Sequence, residues 1–251
     1  MKKTLITLLL IVFVSAAYTD FAFAGAKKEL KVLFVGNSYT FFGNLPQIVS
    51  IISEGAPVRL VTRKSTAGGA SLSDHWRGEK GLHTRELIRD GRFDIVVLQD
   101  ISLGPVNEPD TLKKYARLFC DLIRKSRAKP YLFVTWAHKD TPQHHETIDK
   151  VYGEAALENN AEPVPVGDTW VEALKQKPDW GLFDPDMSHP SDLGTFLTAC
   201  VFVESIVHQL PNPLPLYFYT QDADNESLLL MHIDQEDAMI CRKIVVDVVN
   251  R

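Results

Sequence analysis

A chain of 251 residues with a formal charge of −5, 45% hydrophobic and 24% charged, has a globular composition and the size that one α/β domain with a sizeable core can fill. The acidic balance, and the lack of any basic stripe interleaved with aromatics, argue against nucleic acid or another polyanion as partner. Cys120, Cys200 and Cys241 are scattered among apolar residues, without the paired spacing of a disulfide framework or zinc knuckle. Buried free thiols are expected, with one disulfide as the alternative.

The N-terminus reads as a transport address. Lys2 and Lys3 precede the apolar run Leu5 to Val14, and Ala22-Phe23-Ala24 follows it, the layout of a secretory signal peptide. Cleavage is expected after Ala24, leaving a single domain over residues 25–251 that is secreted or periplasmic. The run is too short to span a bilayer comfortably, so no integral membrane segment is expected after the signal is removed. Losing Lys2, Lys3 and Asp20 takes the formal charge from −5 to −6.

Beyond that point, strand-like runs alternate with helix-length amphipathic stretches, the pattern of a parallel sheet with helices on its faces. Strands are expected at Lys31–Val35, Arg59–Thr62, Asp94–Leu98, Tyr131–Thr135 and, more weakly, Pro163–Val166. Helices are expected at Leu45–Ser53, Thr111–Arg127, Glu146–Glu158, Ser191–Gln209 with Ser191 as cap, and Gln235–Val249. Pro211–Glu226, with three prolines, reads as an ordered loop. The resulting fold class is α/β, a three-layer α/β/α sandwich of about five parallel strands.

The first strand ends in Gly36-Asn37-Ser38-Tyr39-Thr40, which puts a hydroxyl at the carboxyl end of a parallel strand, where open α/β sheets form their crevice. Serine also serves as a plain helix cap there, so the hydroxyl needs a partner. Asp186-Met187-Ser188-His189-Pro190-Ser191 offers one. An imidazole can take the hydroxyl proton, and a carboxylate three residues away can fix its tautomer. Pro190 keeps His189 out of the following helix.

Together, Gly-Asn-Ser after the first strand and Asp-x-x-His before the last long helices resemble the first and last blocks of the SGNH/GDSL hydrolases, a superfamily of serine esterases with a flavodoxin-like sheet. The similarity runs from Leu30 to roughly His208, and is closest to a branch with a Gly-Asn-Ser-Tyr-Thr start and a His-Pro-Ser finish. It implies Ser38 as nucleophile, His189 as general base, Asp186 as the acid that orients it, and the Ser38 N–H as an oxyanion donor. Gly69, in Ala67-Gly68-Gly69-Ala70-Ser71, matches the second block's glycine donor, with Gly68 as the competing assignment. The third block departs from the pattern. Where the family carries an asparagine, this chain has Leu98-Gln99-Asp100, and Gln99 is assigned as third donor on the strength of its two amide hydrogens, with Asn107 as alternative.

Other histidines are read as bystanders. His144 and His145 open a helix and point in different directions, which matches no metal-ligand spacing. His75 and His83 lie in a polar stretch and are expected to face solvent. Trp136 lines the crevice or packs in the core. The expected activity is therefore hydrolysis of a small-molecule or glycan ester through an acyl-serine, needing no metal or organic cofactor. Short-chain acyl or O-acetyl groups are the expected cargo, and oligomeric state is left open. A lipase or thioesterase of the same fold, a carbohydrate-binding domain without catalysis, and a metal-dependent hydrolase using Asp184 or Asp186 are the alternatives.

Overall fold

Five strand-forming runs pair in parallel: the three central ones are predominantly apolar, as strands buried on both faces should be, and the two at the edges are more polar and partly exposed. In the computed structural model, which describes residues 27–251, they form β1 (Lys28–Gly36), β2 (Val58–Thr66), β3 (Ile95–Leu98), β4 (Lys129–Val134) and β5 (Glu162–Pro165). The segment read as an export signal lies outside the described residues. The strand order is β2-β1-β3-β4-β5, a doubly wound order whose crevice opens between β1 and β3, where the direction of winding reverses.

Among the described residues the α-helices are α1 (Ser38–Phe41), α2 (Leu45–Ser53), α3 (Leu72–Arg77), α4 (Thr84–Asp90), α5 (Gly104–Asn107), α6 (Pro109–Lys125), α7 (His144–Glu158), α8 (Val166–Gln176), α9 (Asp192–Val207) and α10 (Gln235–Val249). Alternate strand residues point to opposite faces, and the two cores follow from that alternation. Val32, Phe34, Val97 and Phe133 pack with α2, α8, α9 and α10. Leu33, Val35, Val96 and Leu132 pack with α3, α4, α6 and α7. Among the described residues no helix is long and apolar enough to cross a membrane.

Two expectations are corrected here. The stretch from Pro211 is not loop throughout: β6 (Tyr217–Gln221) and β7 (Ser227–His232) form an antiparallel hairpin outside the main sheet. Phe218 and Met231 bury their side chains in the core, whereas Tyr217, Tyr219 and Leu229 face outward. Three prolines hid that alternation. His75, expected at the surface, is fully buried on α3. All three cysteines are free and buried, so the disulfide alternative is not realised.

Candidate active site

The register of the sheet assembles the site. Val35 pairs with Leu98, and Gly36 with Thr66, so the turn after β1, the loop after β2 and the loop after β3 leave the sheet side by side. Asn37 caps α1, its side-chain oxygen accepting from the Tyr39 N–H at 3.1 Å. Ser38 is therefore the first helical residue, where a backbone N–H has no partner within the helix. Among the described residues no acceptor meets that N–H.

The far end of the chain comes to the same point. His189 Nε2 lies 2.8 Å from Ser38 Oγ, and Asp186 Oδ2 lies 2.5 Å from His189 Nδ1. Asp186 also accepts from the Ser188 N–H at 3.0 Å and the His189 N–H at 2.9 Å through Oδ1. The hydrogen bond from His189, followed by that from the Ser188 N–H, holds the Asp186 carboxyl down at about 2. It is thus ionised wherever an imidazole could act as a base. Phe42 stacks on the His189 ring at 4.4 Å, and Tyr39 meets its edge at 5.5 Å. Those two contacts leave the imidazole little freedom to rotate.

The turn that carries His189 is itself anchored. Trp136 Nε1 donates to the Ser188 carbonyl at 2.9 Å, and the Lys139 N–H donates to the Met187 carbonyl at 2.9 Å. Trp136 is buried and stacked between Tyr39 at 4.6 Å and Trp170 at 4.1 Å, so of its two expected roles it takes core packing. Tyr39 Oη, Ser188 Oγ and His138 Nε2 form a short polar chain beside the base, with separations of 2.6 and 3.2 Å. Sequence reasoning passed over that chain.

Gly69 adopts φ +61° in the turn after β2, a region that favours glycine, and borders a cavity of about 550 Å³. Gly68 does not line it. The same cavity is walled by Ser71, Asp74, Asp100, Asn107, Ile101 and Leu103, among others, which gives it a mixed surface with an acidic part.

Gln99 does not turn its amide toward the crevice. Its side chain is fully buried beneath the turn that carries Ser38. Oε1 accepts from the Asn37 N–H at 3.0 Å and Thr40 Oγ1 at 2.9 Å, and Nε2 donates to the Asp100 carbonyl. Turning the amide toward the crevice would strand two buried donors, at a cost of about 1–3 kcal/mol each. The approach is so close that a Cβ on Gly36 would sit 2.3 Å from Gln99 Oε1. Asn107, the alternative, is exposed at the cavity wall.

Asn37 has a larger role than its motif suggested. Its amide Nδ2 donates to the Ala70 carbonyl at 2.9 Å and the Asp100 carbonyl at 3.2 Å, tying all three crevice loops together. An asparagine directly before a short helix was the available signal, since it marks a cap. His145 pairs with Asp168 at 3.0 Å, on the side of the domain formed by α7 and α8. Among the described residues no group of three His, Cys, Asp or Glu side chains is placed to hold a metal ion.

No protein-family model matches the chain, and no curated protein does. Solved structures do. A DUF4886 family protein from Bacteroides uniformis aligns with TM-score 0.70 at 17% identity, over 89% of this chain and 95% of its own. A protein from Slackia heliotrinireducens, provisionally described as an SGNH hydrolase, aligns with TM-score 0.60 at 22% identity, over 70% of this chain and 98% of its own. Axe2, an acetylxylan esterase from Geobacillus stearothermophilus, aligns with TM-score 0.55 at 18% identity, over 71% and 94%. At these identities the likeness establishes architecture: the chain has the SGNH-hydrolase fold.

Proposed function

We propose that the protein is an exported serine esterase in which Ser38 is the nucleophile, His189 the general base and Asp186 the residue that orients it. The observation that carries this reading is the contact of Ser38 Oγ with His189 Nε2 at 2.8 Å, backed by Asp186 on the other ring nitrogen. His189 removes the hydroxyl proton as Ser38 Oγ attacks the ester carbonyl. The N–H groups of Ser38 and Gly69 stabilise the negative oxygen, and Asn107 is the remaining side-chain candidate for a third donor. Collapse of the tetrahedral intermediate breaks the bond to the alcohol, which leaves with the proton from His189. Water, deprotonated by the same imidazole, then attacks the acyl-serine, and Ser38 recovers its hydrogen.

The substrate we favour is a short acyl or O-acetyl ester on a carbohydrate. The cavity beside Gly69 is roomy and offers hydroxyl, amide and carboxylate groups beside the apolar Ile101 and Leu103, a mixed wall that suits a hydroxylated leaving group, and one structural neighbour is described as an acetylxylan esterase. The single domain over residues 25–251 and release after Ala24 belong to the same proposal. Ser38→Ala and His189→Ala are expected to abolish p-nitrophenyl acetate hydrolysis, whereas His144→Ala leaves it nearly unchanged. Equal loss in all three contradicts the assignment. Acetylated oligosaccharides compared with acyl esters of graded length then test the substrate class, and a preference for long chains would overturn it.

A further inference from the structure

One buried imidazole takes no part in the proposed reaction. His75 is fully enclosed, with Nε2 at 2.9 Å from the Gly36 carbonyl oxygen and Nδ1 at 2.7 Å from Thr84 Oγ1. A carbonyl can only accept, so Nε2 carries the hydrogen. The neutral ring then accepts from Thr84 at Nδ1, and Thr84 accepts from the Ser65 hydroxyl at 2.8 Å. Burial pushes the His75 pKa below its ordinary value, which agrees with a neutral ring. The chain of bonds runs from β2 through α4 and α3 to the last residue of β1.

That last residue matters because its carbonyl belongs to the peptide unit immediately before Asn37. The N–H of the same unit donates to Gln99 Oε1 at 3.0 Å. A peptide unit is planar, so hydrogen bonds at both of its ends fix its rotation about the strand. Ser38 follows one residue later and must present both its hydroxyl and its N–H in set directions. A tilt of this plane would be passed directly to them.

We propose that His75 is a positioning residue for the nucleophile: by donating from Nε2 to the Gly36 carbonyl, it sets the orientation of the turn that aims Ser38. The proposal rests on the reading of Ser38 as nucleophile, and it predicts a dependence on which end of the ring is mimicked. In His75→Gln the amide nitrogen falls near the position of Nε2 and can donate to the same carbonyl. In His75→Asn the shorter amide falls near Nδ1 and reaches only Thr84.

The test measures p-nitrophenyl acetate kinetics and thermal unfolding for both variants. His75→Gln is expected to keep kcat within about threefold of the parent, while folded His75→Asn loses about 10²-fold in kcat with KM little changed, the scale of a small misplacement of reacting atoms. Equal kcat in the two folded variants overturns the proposal. Nitrogen chemical shifts of His75 in the unaltered protein give a reading that needs no variant. The neutral tautomer protonated at Nε2 is expected, and the one protonated at Nδ1 overturns the proposal even if His75→Asn fails to fold. If the unaltered protein neither hydrolyses the ester nor reacts at Ser38, the esterase reading fails, and the tautomer still decides whether His75 clamps the turn.

Discussion

Asn37 joins three loops through one carboxamide, and its removal should be felt in both stability and rate. Asn37→Ala deletes the bonds to the Ala70 and Asp100 carbonyls and the cap on Tyr39. The Asp100 carbonyl keeps its bond from Gln99 Nε2, but leaving the Ala70 carbonyl unpaired costs about 1–3 kcal/mol and losing the cap about 1 kcal/mol, so a loss of about 2–4 kcal/mol is expected in urea unfolding. The kcat should fall with it, because the spacing between Ser38 and Gly69 depends on the same tie.

His75 has a signature in the pH dependence of stability. Its pKa is lowered by burial, with Asp74 and Lys80 as the nearby charges acting in opposite directions. The unfolded chain takes up a proton from about pH 6.5 downward, the folded chain only at lower pH. The unfolded state therefore binds more protons, and stability falls as pH drops below about 6.5. The buried Asp100 carboxyl, whose pKa burial raises, acts with the opposite sign in the carboxylate range. His138, whose pKa burial also lowers, contributes with the same sign in the same window, so the difference between variant and parent isolates His75: between about pH 7.5 and 5.5, His75→Gln should lose less in urea midpoint on acidification than the unaltered protein. An identical loss would contradict this assignment.

Among single residues, what the sequence could reveal divides by how much depended on tertiary packing. The Gly-Asn-Ser and Asp-x-x-His motifs are local and legible, and the residues they single out meet in space. Gln99 and His75 were misplaced because the direction of a side chain at a strand end or on a short helix is decided by which neighbour covers it. No local pattern around either residue records that neighbour.

At the level of elements, the turn from Asp184 to Ser191 holds His189 through backbone bonds as much as through Asp186. The Met187 N–H donates to the Asp184 carbonyl and the Asp184 N–H to the His189 carbonyl, each at 2.9 Å. Met187 pays for this with φ +63°, a left-handed conformation that costs a side-chain-bearing residue about 1–2 kcal/mol. Met187→Gly should relieve that strain and, after the added freedom of the unfolded chain, gain roughly 0.5–1 kcal/mol. A lower melting temperature would contradict it.

Elements with strong periodicity and clear ends were readable: α2 and α10 have the expected limits, and Ser191 caps α9 by accepting from the Gly194 N–H. Helices α4 and α8 were not foreseen, and neither has a side-chain cap to announce it. The start of α3 was signalled, since Ser71 and Asp74 form a reciprocal cap. The adjacent glycines had drawn that stretch toward a turn.

Across the whole molecule, 151 positions separate Ser38 from His189, and the doubly wound sheet is what closes that distance. β1 delivers the hydroxyl to the reversal point of the sheet, the loops after β2 and β3 wall the cavity that Gly69 borders, and the turn before α9 brings the imidazole to the hydroxyl. Strand alternation made the fold class legible. The substrate was not, because the cavity wall comes from α3, α5 and the loops around them, segments that carry no periodic signal of their own.

The most direct test of the account is to expose the protein to a fluorophosphonate probe and map the adduct by peptide mass spectrometry. One adduct is expected, on Ser38, absent in Ser38→Ala and formed far more slowly in His189→Ala. An adduct on another residue, or none under conditions that label a known serine esterase, would contradict it.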